Sequence, residues 1–229
     1  MPNEVISYLE MCQREGASLQ RGMNFRLGKN HSVILMSVQP NAPYEDRIEE
    51  GGSVIIYEGH DVPKTQGNRN PKFVDQAEFL PSGKLTENGK FHKAAQKFKS
   101  QGTPPERIRV YEKIKKGIWA YNGLFNLIDS WIEASGGRKV FKFKLLAIEE
   151  DDEFSLKPRA TPVRRRMIPT HVKLAVWKRD GGKCAICGAT EDLHFDHIIP
   201  YSKGGSSDTE DNIQLLCSKH NLEKHDKIQ

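Results

Sequence analysis

Two interleaved sets of residues near the C-terminus carry the strongest chemical pattern in the chain. The first is Cys184-x-x-Cys187 followed by Cys217-x-x-His220. Two closely spaced ligands from one turn and two from another are what a tetrahedral zinc site needs. With all four positions filled by protein, such an ion has no place for water or substrate, so the expected role is structural. The second set is Asp196, His197, Asn212 and Asn221. An aspartate can hold a hard divalent cation through oxygen. A neutral imidazole can take a proton from water near pH 7. An amide can orient that imidazole or complete a metal's shell. A structural zinc module needs none of these, so the combination points to hydrolysis.

A third candidate lies in the N-terminal half. Tyr44 and Tyr57 flank a turn-rich segment, with Asp46 between them. Two aromatic faces and one acceptor could sandwich a base flipped out of a duplex and bind its exocyclic amine. The alternative is a surface loop with Tyr57 in the core. Arg47, Lys64, Arg69 and Lys72 are candidate phosphate contacts or plugs for the gap left by such a base; solvated surface charge is the alternative for each.

The elements that must position these groups follow from local patterning. Asn3–Cys12 reads as a short amphipathic helix capped by Asn3. Residues 32–38, 53–57, 107–111, 118–121, 124–128 and 139–145 read as strands, with 60–90 mostly loop. Phe91, Ala94, Ala95 and Phe98 form one face of a helix ending at Gly102. Further on, Thr170 is the expected cap of a helix through Lys178, stopped by Gly181-Gly182. His194–Ile198 is expected as a strand and Asp211–His220 as a helical arm. The chain has 229 residues, enough for one large domain or two modest ones. An acidic run (residues 149–153), a basic run (Lys157, Arg159, Arg164, Arg165, Arg166) and three prolines mark the expected break. The division is therefore 1–154, a linker at 155–168, and 169–229. Residues 155–229 hold 13 basic and 9 acidic side chains, against 22 and 21 before them, so most of the net +5 lies in the shorter part. A basic segment of this kind suits a phosphate backbone or, as plainly, a solvated linker.

No apolar run is long enough to span a membrane, and Met1–Ser7 lacks the pattern of a secretory signal. Three of the four cysteines fall in the zinc pattern and Cys12 stands alone. A cytoplasmic, nucleoid-accessible location is the expectation.

The stretch Leu193-His-Phe-Asp-His-Ile-Ile-Pro-Tyr-Ser-Lys-Gly-Gly205, with Asp211-Asn-Ile-Gln-Leu-Leu-Cys217, resembles the HNH (ββα-metal) nucleases over residues 168–228. The resemblance implies that His197 is the general base and that Asn212 orients the loop and the base. It implies that Asn221, where the family name has His, holds a catalytic Mg²⁺ or Mn²⁺ together with Asp196. It also implies 5′-phosphate and 3′-hydroxyl products. Residues 22–148 resemble the SRA (YDG) domain, with Tyr121-Asn-Gly123 in place of Tyr-Asp-Gly. That resemblance implies that Tyr44 and Tyr57 stack on a flipped 5-methylcytosine or 5-hydroxymethylcytosine and that Asp46 accepts from its amine. The expected fold is α+β: an SRA-like curved sheet or partial barrel with helices, then a zinc-stabilised ββα-metal unit. The expected activity is modification-dependent endonucleolytic cleavage of double-stranded DNA by a homodimer. The alternatives are an endonuclease reading unmodified sequence and a non-catalytic reader of modified DNA.

Overall fold

The computed structural model describes residues 2–27, 31–63, 70–148 and 167–228. The acidic and basic runs around residue 155, and with them Lys64, Arg69 and most of the expected linker, lie outside the described residues.

The chain opens with β1 (Glu4–Ser7) and α1 (Tyr8–Glu15), then β2 (Met23–Asn24), β3 (Ser32–Met36), β4 (Arg47–Glu49) and β5 (Val54–Glu58). Helix α2 (Glu87–Gln101) precedes three long strands, β6 (Glu106–Lys115), β7 (Ile118–Ser135) and β8 (Arg138–Ala147). The C-terminal part is α3 (Thr170–Arg179), β9 (Leu193–His197), β10 (Ile213–Cys217) and α4 (Ser218–Lys224). The ten strands form one open, mixed sheet in the order β10-β9-β1-β7-β6-β3-β2, with β8, β5 and β4 leading off β7. The fold is α+β.

Three expected elements change, each for a tertiary reason. Residues 4–7 are strand rather than helix because Glu4–Ser7 pairs with Ile118–Tyr121 of β7. The helix then starts at Tyr8, and Ser7 and Glu10 form a reciprocal capping box, a device worth about 1 kcal/mol. Residues 118–121 and 124–128 are one strand, not two; the register shift opposite Val110 and Tyr111 lets β7 bend at Gly123, where φ is 93°. The arm expected as helix over 211–220 is mostly β10, because Ile213, Leu215 and Leu216 are buried and the segment pairs residue for residue with β9. It begins in a 3-10 turn (Glu210–Asn212) and becomes α-helical only from Ser218.

The main core gathers Phe91 and Ala95 of α2 against Ile34, Ile55, Tyr57, Ile108, Phe125 and Phe143 from the sheet. A second cluster joins Ile114, Ile118 and Ala120 of β6 and β7 to Val172, Val176, Leu193, Phe195 and Leu215. Apolar burial of this kind is worth roughly 25 cal/mol per Å², so the C-terminal part is bonded to the sheet by packing as well as by Glu4↔His194 pairing.

A buried polar cluster crosses the same junction. Lys173 Nζ lies 2.8 Å from Glu112 Oε2 and 2.7 Å from Asn122 Oδ1, and Asn122 Nδ2 donates to Glu112 at 2.9 Å. Lys173 and Glu112 are fully buried. Although burial opposes ionisation, the Lys173 ammonium and the donors around it hold the Glu112 carboxyl below its usual range. Thr170 is not the helix cap; its hydroxyl donates to Glu112, and Pro169 precedes the helix without a side-chain cap. Asn122 stands where the Tyr-Asp-Gly pattern has Asp. A carboxylate there could not donate to Glu112, and the amide can.

Candidate functional site

Cys184 and Cys187 lie on the turn after α3, Cys217 ends β10, and His220 is in the first turn of α4. Their ligand atoms all lie within 4.8 Å of one another. Cys217 Sγ and Cys184 Sγ are 3.3 and 3.4 Å from His220 Nδ1, and Cys187 Sγ is 3.9 Å from Cys217 Sγ. Zinc bonds of 2.0–2.3 Å give tetrahedral edges of roughly 3.3–3.8 Å, so this donor set fits zinc. Burial alone would raise the Cys184 thiol. The backbone N–H groups of Cys187, Cys217 and Ile186, with His220, outweigh it and lower the pKa to about 6. A thiolate is the form a metal binds.

The second set is built on the β9–β10 hairpin beside this cluster. Asp196 and His197 are the last two residues of β9, opposite Gln214 and Ile213. His197 is buried, and its Nε2 is 2.7 Å from the Ser207 hydroxyl. Asn212 does not bond the imidazole. Its Oδ1 accepts from the Ile199 N–H at 2.8 Å, and its Nδ2 donates to the carbonyls of Ser206 at 2.9 Å and Ile199 at 3.1 Å. It therefore clamps the ends of the loop between β9 and β10. The clamp explains Gly205: a Cβ there would sit 1.8 Å from the Ile199 carbonyl oxygen and 2.7 Å from Asn212 Nδ2. Ser207, whose hydroxyl meets the His197 ring, carries no signal in the sequence beyond its place after Gly204-Gly205.

Asp196 is held differently. Its Oδ2 lies 2.9 Å from Lys224 Nζ, yet makes no directed hydrogen bond although the atom is buried. Lys224 instead donates to the His197 carbonyl at 2.6 Å. The Lys224 ammonium already neutralises Oδ2, so a hard divalent ion held by Asp196 would bind through the other carboxylate oxygen or displace Lys224. Asn221 is half-buried and three residues before Lys224 on α4, so both side chains share the face turned to β9. His194 bonds the Ser218 hydroxyl at 3.2 Å, and burial lowers its pKa; His225 is exposed at the end of α4.

Of the three residues singled out in the N-terminal half, Tyr44 and Tyr57 meet through His60 and not as an open slot, while Asp46 bonds the backbone beside them. Tyr57 is fully buried on β5, and its hydroxyl donates to the Leu35 carbonyl at 3.3 Å and meets His60 Nε2 at 2.8 Å. The His60 ring stacks on Tyr44, with centroids 4.8 Å apart and planes 7° apart. Lys72 Nζ lies over the Tyr44 ring at 4.3 Å and 3.0 Å from Asp61. Arg47 is an exposed partner of Glu49. Asp46 accepts the backbone N–H of Glu58 at 3.0 Å and of Ser37 at 3.2 Å. Burial outweighs these bonds and raises its pKa to about 7. Below it, Glu58 is paired with the buried Lys142 at 2.9 Å. A cleft of about 720 Å³ separates the two regions, with Asp46 and Arg47 on one wall and Tyr201, Ser206 and Ser207 on the other.

Comparison with known proteins adds three findings. Residues 184–227 match the HNH endonuclease family. A curated relative, the histone-lysine N-methyltransferase family member SUVH9 of Arabidopsis thaliana, is 29% identical over 140 residues, 58% of this chain. The chain spans about a fifth of that relative's length, the match covering 20% of it. Among solved structures, a SUVH5 SRA complex with hemi-methylated CG DNA aligns over 62% of this chain and 84% of its own, at 25% identity and a TM-score of 0.42. A SUVH5 SRA complex with fully hydroxymethylated CG DNA aligns over 62% and 85%, at 22% identity and 0.44. The modification-dependent TagI restriction endonuclease aligns over 99% of this chain and 78% of its own, at 20% identity and 0.44. No helix among the described residues is long and apolar enough to cross a membrane. Residues 184–227 thus match the HNH endonuclease family, and their two strands, β9 and β10, form one end of the ten-stranded sheet.

Proposed function

We propose that this protein is a modification-dependent DNA endonuclease: residues 1–154 read a flipped modified cytosine, and residues 169–229 hydrolyse a nearby phosphodiester bond. The observation that carries the nuclease half is the HNH match together with the Asp196–His197 strand end, braced by Asn212 and set beside a Cys₃His cluster. His197 accepts a proton from water attacking phosphorus in line. Ser207 holds the imidazole, and Asn212 keeps its loop in place. Asp196 and Asn221 would hold Mg²⁺ or Mn²⁺, which supplies stabilisation of charge growing on the phosphate and the leaving 3′ oxygen. Products carry 5′-phosphate and 3′-hydroxyl ends. The Cys₃His cluster holds zinc and fixes the hairpin.

The reader half rests on Tyr44 and Tyr57 meeting through His60, on Asp46 bonding the N–H of Glu58 next to Tyr57, and on the resemblance of their segment to SRA domains. Asp46 accepts from the cytosine 4-amino group, which plain cytosine also presents. Selectivity for a 5-methyl or 5-hydroxymethyl group therefore lies in the apolar contacts around C5. One hydrolytic site cuts one strand, so a double-strand break calls for a homodimer or two encounters. A cytoplasmic location with access to DNA follows from this activity. Incubation with methylated and unmethylated plasmid plus Mg²⁺ or Mn²⁺ tests the reading. Cutting of the methylated plasmid alone supports it; equal cutting of both favours an endonuclease reading unmodified sequence, and no cutting with any divalent ion favours a binding module.

A further inference from the structure

His60 occupies the space beside Tyr44 and Tyr57 that the proposed reading gives to a base. The His60 imidazole lies parallel to the Tyr44 ring and meets the Tyr57 hydroxyl, with the Tyr57 ring 6.0 Å away at 39°. It is a flat ring stacked on one tyrosine and hydrogen-bonded to the other, much as a flipped pyrimidine would be. The main chain beneath it is pinned. The His60 N–H donates to Asn88 Oδ1 at 2.9 Å and its carbonyl accepts from Asn88 Nδ2 at 2.8 Å. Gly59 is closely packed, since a Cβ there would come within 2.6 Å of Gln76 Oε1 and 2.8 Å of Asn88 Oδ1. Gly22 closes against the ring's edge, where a Cβ would lie 2.5 Å from His60 Cε1. The ring can therefore leave only by turning about its own side-chain bonds. Burial lowers its pKa to about 4, so at pH 7 the stacked ring is neutral and departs without carrying a charge.

We propose that His60 is a fourth residue of the base-binding site, filling the slot between Tyr44 and Tyr57 until an incoming modified pyrimidine displaces it. This rests on the reader assignment above. Binding then exchanges one stack for another. The occupant lowers the apparent affinity for every base by the fraction of molecules in which the slot is open. It acts as a threshold rather than a filter: it scales down binding to modified and unmodified cytosine alike, so that only the better ligand still binds measurably.

The test uses the full chain, with His60→Ala and His60→Phe variants, and short duplexes carrying one central cytosine or 5-methylcytosine. Flipping is followed by fluorescence of a 2-aminopurine beside that position. For an open fraction of about 10% or less, His60→Ala tightens binding to both duplexes by roughly tenfold or more, leaves their ratio unchanged, and raises the fluorescence. His60→Phe keeps a ring in the slot but removes its bond to Tyr57, so the occupant leaves more readily and binding to both duplexes tightens by less than in His60→Ala. A packing role would weaken binding in both variants, and that result overturns the proposal, as does an Ala variant that binds like wild type. If wild type itself does not prefer the methylated duplex, the reader assignment fails instead. The 2-aminopurine signal of the Ala variant then still decides whether His60 blocks a base slot.

Discussion

The two chemical regions of this molecule are built on opposite plans. The C-terminal one collects its groups from short, locally determined spacings: two cysteine-containing turns, one strand end, and one turn of helix. Its groups fall within a few ångströms of one another because Cys184 to Cys187 and Cys217 to His220 are each three residues apart, and β9–β10 pairing sets the rest. The N-terminal one draws Tyr44, Asp46, Tyr57 and His60 together across β3, β5 and α2, and it arrives filled. A site made by local spacing is preorganised around an ion. A site made by long-range packing carries a stand-in for its ligand.

Removing the metal from the Cys₃His cluster is expected to have the largest effect. Apparent binding energies of structural zinc are about 10–16 kcal/mol in small modules. Chelation, or Cys217→Ser, should abolish cleavage and strip hydrogen-exchange protection from residues 184–224. The long strands β6–β8 should keep theirs, since the core over them does not depend on the cluster. Loss of protection throughout would show that the two regions fold as one cooperative unit.

His197→Ala comes next. A positioned general base contributes about 10²–10⁴-fold, so cleavage should fall by that factor while affinity for methylated DNA changes less than about twofold. Ser207→Ala, which removes the group on the imidazole but not the base, should cost less and shift the pH profile of cleavage.

Lys173→Met tests the seam between the regions. It leaves Glu112 buried without its cation, and breaking such a pair costs about 3–5 kcal/mol, readable as a lower midpoint in denaturant. The double change Glu112→Gln with Lys173→Met should recover most of that loss.

The smallest effect is in pH. Asp46 has its carboxyl raised from an ordinary 3.8 to about 7. A raised acid contributes stability that is fully present below pH 3.8 and is lost as pH rises through about 7. Asp46→Asn should therefore flatten the decline in stability across that window. As an acceptor, Asp46 is most effective when ionised, so base binding should strengthen as pH rises through about 7, and the Asn variant should lose that dependence.

The same contrast explains what could be read from the chain before it folds. The zinc ligands, His197 and Asn212 announce themselves through residue type and spacing, which survive any packing. The strand at Glu4–Ser7 does not, because four residues of helix-compatible sequence become strand only once β7 offers its edge. Nor does β10, where a buried Ile-Gln-Leu-Leu run is compatible with either period until β9 pairs with it. Ser207 is invisible because one serine in a polar loop has no pattern. His60 is invisible for a similar reason: a His-Asp pair after Glu58-Gly59 says nothing until Asn88, 28 residues on, fixes its backbone. The Asn122 departure from Tyr-Asp-Gly acquires a reason only when Lys173 and Glu112 are seen beside it.

The central claim is that one region reads a modified base and the other cuts because of it. The most direct measurement is single-turnover cleavage of two duplexes that differ only in one 5-methyl group, with Mg²⁺, by wild type, Tyr44→Ala and His197→Ala. The account predicts that wild type cuts the methylated duplex alone, that Tyr44→Ala loses that preference, and that His197→Ala still binds the methylated duplex without cutting it. Equal cutting of both duplexes by wild type, or full cutting by His197→Ala, would contradict it.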